Sequence, residues 1–131
     1  MSHRLSITVH PQIYAICRLE AGAAAPNWAT GQNFLCITRT PSELSIVCLE
    51  EHVPAGIHAE HGRRLLQIEG TLAFSLTGVL ASIASPLAEA QISIFAVSTY
   101  DTDYLLIRDS DLNRAVAALE NAGHTVKRIY E

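Results

Sequence analysis

Ile92-Ser93-Ile94-Phe95-Ala96-Val97-Ser98-Thr99-Tyr100-Asp101-Thr102-Asp103-Tyr104-Leu105-Leu106-Ile107-Arg108 decides the fold. Ile92–Ser98 and Tyr104–Ile107 are apolar runs of strand length, rich in β-branched and aromatic residues. The polar segment Thr99–Asp103 between them has the composition of a turn, so the whole reads as a β-hairpin. Its turn projects Thr99, Asp101 and Asp103 beyond the end of a rigid sheet, a suitable place to hold a small polar ligand.

Outward from this hairpin, the chain supplies the remaining parts of a ferredoxin-like unit. Arg64–Glu69 reads as a short strand broken by Gly70, and Leu72, Leu76, Val79, Leu80, Ile83 and Leu87 recur at helical spacing over Thr71–Ala90. Pro86 falls inside that pattern and should kink or divide the helix. Beyond the hairpin, Ser110 is a suitable N-cap for a helix with Leu112, Val116 and Leu119 on its buried stripe, ended by Gly123. Thr125–Tyr130 supplies the last strand. The order is β-α-β-β-α-β.

The first half repeats the plan in reduced form. Leu5–His10 alternates apolar and polar residues and Pro11 is expected to end it; Tyr14–Glu20 reads as a second strand. Ala21–Asn33 is too broken by Gly and Pro for more than a turn near Trp28. Phe34–Thr40 and Leu44–Glu50 then form a second hairpin around Pro41-Ser42-Glu43, and Glu51–Gly62 reads as a loop. At an offset of sixty positions, Ile37-Thr38 falls on Val97-Ser98 and Glu43-Leu44 on Asp103-Tyr104, which indicates a degenerate duplication. The expected fold is α+β, with a degenerate subdomain over 1–62, its helices reduced, and a complete one over 63–131.

Composition narrows the functional classes. The chain has 131 residues, about half of them apolar, which suits one compact domain or two small subdomains sharing a core. The formal net charge is −4 and Lys127 is the single lysine, so the basic stripe that neutralises nucleic-acid phosphates is missing. No apolar run reaches membrane-spanning length and the amino terminus leads into a strand without a signal-peptide core, so a soluble cytoplasmic protein is expected. Cys17, Cys36 and Cys48 lie in apolar strand-like runs and read as buried thiols; a Cys36–Cys48 bridge stays open because the strand register is not fixed.

Three strings carry a family resemblance: Glu43–Cys48, Gly70–Ala81 and, most specifically, Ser98-Thr99-Tyr100-Asp101-Thr102-Asp103-Tyr104. Over Leu5–Val126 the chain resembles the tandem ACT-domain proteins of the CASTOR-like kind. The resemblance implies two ferredoxin-like ACT units that bind a small metabolite, usually an amino acid, without catalysis and without a cofactor. It also implies ligand contacts from Gly70–Val79 and Ser98–Asp103, giving the candidate set Gly70, Phe74, Thr77, Gly78, Val79, Ser98, Thr99, Tyr100, Asp101 and Asp103.

The chemistry of these residues fits a free amino acid. The first N–H groups of a helix starting between Thr71 and Thr77 can hold a carboxylate, with Gly78 allowing close approach. Asp101 or Asp103 can take the ammonium and Phe74 or Val79 can line an apolar wall. The competing reading is that both aspartates cap and solubilise a turn.

His58-Ala59-Glu60-His61 offers two imidazoles at metal-ligand spacing, but in an expected loop and without a third ligand nearby. His52 and His124 read as surface residues beside turns, and Trp28 as a plug for the first subdomain or a cover for a pocket. No phosphate loop, nucleophile–base set or strong metal spacing supports an enzyme. The expected function is non-catalytic binding of an amino acid or related metabolite, in a homodimer that regulates an unidentified protein. The alternative is a ligand-free dimerisation module.

Overall fold

The computed structural model describes residues 3–70 and 77–129. The strands are β1 (Ser6–Leu19), β2 (Cys36–Arg39), β3 (Leu44–Leu49), β4 (Ala59–Ile68), β5 (Phe95–Ser98), β6 (Asp103–Arg108) and β7 (Thr125–Arg128). Helix α1 spans Val79–Glu89 and α2 spans Leu112–Asn121. Two compact units emerge: residues 12–63, and residues 1–11 together with 64–131. Strands β1 and β4 each contribute to both.

In the 12–63 unit the strand order is β4-β1-β3-β2, the split arrangement of a ferredoxin-like sheet. β1 pairs antiparallel with β3 from Tyr14↔Leu49 to Leu19↔Leu44, and β3 with β2 from Cys36↔Val47 to Arg39↔Leu44. One face buries Ala15, Cys17, Leu44, Ile46 and Cys48. Where the complete plan has helices, Trp28, Ala29 and Leu35 from the loop after β1 and Val53 and Ile57 from the loop after β3 cover this face. The thiols of Cys17 and Cys48 hydrogen-bond to each other. Cys17, Cys36 and Cys48 are all free, so the Cys36–Cys48 bridge is not formed.

In the second unit the order is β7-β1-β4-β6-β5. β4-α1-β5-β6-α2-β7 is the complete ferredoxin-like sequence, but Ser6–Val9 of β1 stands between its first and last strands and pairs parallel with Thr125–Arg128. Val79, Ile83 and Leu87 on α1 and Leu112, Ala115 and Leu119 on α2 are buried. They pack on Ile7, Val9, Leu66, Ile68, Leu105 and Ile107. Each valine, leucine or isoleucine among them contributes about 1.5–3 kcal/mol when fully buried.

Several local expectations are corrected. β1 does not stop at Pro11. The Val9 carbonyl faces β7 and accepts from Ile129, so two residues on, the missing Pro11 N–H falls on the same side, beyond Arg128, the last paired residue of β7. His61 lies on β4, which begins at Ala59, rather than in a loop. α1 begins at Val79, and the expected helical positions Leu72 and Leu76 lie outside the described residues. α2 is entered through a 3-10 turn, Asp109–Asp111, so Ser110 is not its N-cap.

The two hairpins repeat at an offset of 59 rather than sixty. Cys36–Arg39, Leu44–Leu49 and the 3-10 turn Glu50–His52 map onto Phe95–Ser98, Asp103–Arg108 and Asp109–Asp111. The turns share their hydrogen bonds: Thr40 N–H donates to Glu43 C=O as Thr99 N–H donates to Thr102 C=O, both at 2.9 Å. Both threonine hydroxyls donate to the same carbonyls, at 3.4 and 3.0 Å.

Candidate functional site

The expected ligand residues lie in the unit that carries both helices. Thr102 is 5% exposed and its hydroxyl donates to the Ile68 carbonyl at 2.9 Å, tying the β5–β6 turn to the end of β4. Gly70 follows at φ +84, a left-handed backbone that glycine adopts without steric cost. Gly70 and the turn residues Ser98, Thr99 and Asp103 are thereby brought to one end of the sheet. Across the turn, the Ser98 hydroxyl donates to Asp103 Oδ1 at 2.5 Å. Asp103 thus has a structural partner, whereas Asp101 is exposed at the tip beside Tyr100, which is 79% exposed.

Thr77, Gly78 and Val79 form the entry to α1. Gly78 is the N-cap residue at φ +77, and no side chain caps the helix. Its carbonyl accepts from Ser82 N–H at 2.9 Å and from the Ser82 hydroxyl at 2.8 Å. His3 Nε2 meets the Thr77 carbonyl at 2.7 Å. Val79 is in the core, where it packs with Ile83 and Leu87. Phe74 lies outside the described residues.

His124 was expected at the surface and is instead 5% exposed. Its Nδ1 accepts from Leu5 N–H at 3.1 Å, so Nε2 carries the proton and donates to the Ser82 carbonyl at 2.9 Å. Ser82 C=O is the acceptor that residue 86 would use in an uninterrupted helix, and Pro86 has no N–H to offer. His124 therefore satisfies the carbonyl that the proline leaves open. The sequence signal was Pro86 itself, since a proline inside a helix needs a substitute donor.

Of the other candidates, His61 Nδ1 lies 3.3 Å from Glu50 Oε1, which also accepts Gly62 N–H at 2.8 Å. Among the described residues no group of three His, Cys, Asp or Glu side chains is placed to hold a metal ion. Trp28 is half-buried against the core of the 12–63 unit. Burial pushes the Cys17 thiol up to about 11, with Cys48 adding to the effect, and burial also raises Cys48.

Comparison with known proteins identifies relatives of this fold. The family model described as the ACT domain matches residues 58–121, and one described as an N-terminal domain matches 12–56. The crystal structure of protein Atu0741 from Agobacterium tumefaciens is 40% identical, with 99% of this chain and 97% of that chain aligned at a TM-score of 0.95. The ligand-free regulatory subunit of aspartate kinase from Thermus thermophilus shares the fold at 13% identity, TM-score 0.59, over 85% of this chain and 93% of that one. The cytosolic arginine sensor for mTORC1 subunit 1 of Mus musculus is 27% identical over 101 residues, covering 66% of this chain and 29% of the sensor. Human putative protein CASTOR3P is 32% identical over 92 residues, 60% of this chain and 56% of that protein. The chain thus spans under a third of the length of the arginine sensor it matches.

Proposed function

The chain belongs to the ACT-domain family, of the CASTOR-like kind, and from that premise we propose that it binds a free amino acid and has no catalytic activity of its own. A small-molecule-binding regulatory role goes with the family; the amino acid and its site are our reading. The observation that carries it is the coincidence of the ACT match, 58–121, with β4-α1-β5-β6-α2, the part of the chain that holds the expected ligand segments. The arginine sensor and the aspartate kinase regulatory subunit lend support through their names.

In this reading the uncapped N–H groups at the start of α1 take the ligand carboxylate, as helix N-termini do for anions. Asp101, exposed at the hairpin tip, takes the ammonium; Asp103, held by Ser98, positions the turn. Gly70, Thr77, Gly78, Ser98, Thr99 and Tyr100 complete the surroundings. Binding regulates by favouring one arrangement of the protein over another, which requires differential affinity for the two. We further propose a cytoplasmic homodimer acting on a separate regulated protein. Its edge strands β2 and β5 present Ile37 and Phe95, 42% and 37% exposed, as surface for a second copy.

The test is a thermal-shift screen against the twenty amino acids, with Asp101→Asn in parallel. A ligand at a hundred times its Kd stabilises the folded state by about 2.7 kcal/mol, a shift of several degrees. We expect a selective shift that Asp101→Asn removes without lowering the ligand-free Tm. No shift with any amino acid would refute the reading, and a shift indifferent to Asp101→Asn would move the site elsewhere.

A further inference from the structure

Residues 3–5, just before β1, are laced onto α1. The His3 N–H donates to Ser82 Oγ at 3.1 Å, and the Ser82 hydroxyl donates in turn to the Gly78 carbonyl at 2.8 Å. Two residues on, the Leu5 N–H donates to Nδ1 of His124, whose Nε2 holds the Ser82 carbonyl. These bonds fix the backbone on both sides of Arg4 and seat the His3 ring against the entry to α1. There Nε2 lies 2.7 Å from the Thr77 carbonyl and 4.0 Å from where a Cβ on Gly78 would stand. A carbonyl oxygen only accepts, so His3 Nε2 carries the proton and donates.

The consequence lies in the peptide group that follows. The Thr77–Gly78 bond is trans, so its C=O and N–H point in opposite directions. A Thr77 carbonyl held by His3 therefore turns the Gly78 N–H away from the imidazole. Gly78 is the N-cap residue, and its φ of +77 lets the backbone take that turn. The first intrahelical bond runs from the Ser82 N–H to the Gly78 carbonyl, which leaves the N–H groups of residues 78–81 without helical partners. The helix itself orients those of Val79, Leu80 and Ala81; the Gly78 N–H depends on the peptide that His3 holds. The bonds from His3 and Ser82 also engage the Thr77 and Gly78 carbonyl oxygens, whose partial negative charge would oppose an anion.

We infer that His3 is a positioning residue of the proposed carboxylate site: by holding the Thr77 carbonyl it adds the Gly78 N–H to the donors at the start of α1. The location of the carboxylate rests on the amino-acid reading above. His3 itself lies outside the ACT match, 58–121, and outside the segments from which ligand contacts were expected.

The experiment titrates the intact chain with acetate, a bare carboxylate, at constant ionic strength and follows the backbone amide resonances of residues 78–81. The expected result is saturable shifts at these amides, with a Kd weakened about fivefold in His3→Leu, the worth of one net hydrogen bond. His3→Gln, whose side-chain amide offers a donor at a similar reach, should restore the Kd, which a loss of packing alone would not allow. Without acetate, the Thr77 carbonyl carbon resonance should move in His3→Leu and return in His3→Gln. No saturable acetate shift, a Thr77 resonance indifferent to His3→Leu, an unchanged or tighter Kd in that variant, or a Kd that His3→Gln does not restore would overturn the inference. Failure of the amino-acid reading shows separately, as a thermal-shift screen without a selective ligand, because acetate lacks the ammonium assigned to Asp101.

Discussion

His124 joins three parts of one unit through a single imidazole. Its Nδ1 holds the Leu5 N–H just before β1 and its Nε2 holds the Ser82 carbonyl inside α1. Replacement by leucine leaves two polar backbone groups unsatisfied, each worth about 1–3 kcal/mol when buried, so His124→Leu should lose about 3 kcal/mol of unfolding free energy in urea titration. The buried thiols give a pH signature. Cys17 ionises near its ordinary value of about 9 when unfolded but near about 11 when folded. The unfolded state therefore releases its proton first, and stability that is complete below pH 9 falls as pH rises toward about 11. Burial raises Tyr14 as well, which steepens the same fall, with a backbone hydrogen bond to Phe34 working against it. Urea midpoints measured across that range should flatten in Cys17→Ala, and at pH 8 a thiol reagent should label Cys36 well before Cys17 or Cys48. Gln91 adopts φ +60 just beyond α1. The left-handed backbone costs a side chain about 1–2 kcal/mol and glycine gives back about 0.5–1 in entropy, so Gln91→Gly should stabilise by about 0.5–1 kcal/mol.

α1 is the element in which local propensity and tertiary structure compete. Pro86 removes one helical donor and His124 replaces it, so the two positions are coupled. Pro86→Ala should recover about 1 kcal/mol in a His124→Leu background, because the restored Ala N–H can reach Ser82, and gain little in the parent chain. A double-mutant cycle by urea denaturation measures this difference. The sequence made the hairpins, the buried stripes of both helices and the reduced first half legible, because alternation and helical spacing are local properties. It did not reveal the start of α1, since the apolar period of Leu72 and Leu76 runs on without a boundary signal and the actual boundary is the backbone of Gly78. The one-residue error in the repeat has a similar origin. Sequence identity between the hairpins is too thin to fix register, whereas the paired turn bonds of Thr40 and Thr99 fix it directly. Among the candidate site residues, the proximity of Gly70 to the hairpin turn depends on Thr102 reaching Ile68, a contact that no spacing rule encodes.

At the scale of the whole chain, β1 and β4 each serve two compact units, and residues 1–11 group with 64–131. Pro11 concealed this arrangement by suggesting a break where the strand continues. A fragment beginning at residue 12 loses Ile7 and Val9, both at most 1% exposed, and the strand that separates β7 from β4. Burial of those two side chains alone is worth about 3–6 kcal/mol, so the fragment should show no cooperative melt of its helical signal by circular dichroism. Emergence from the ribosome gives Ser6–Val9 a further consequence. These residues are synthesised well before their parallel partners Thr125–Arg128. Residues 12–63 can close while translation continues, but the leading half of β1 must wait until Thr125–Arg128 have emerged. The helix-bearing unit therefore completes after the 12–63 unit, and a chain truncated before Thr125 lacks its last strand.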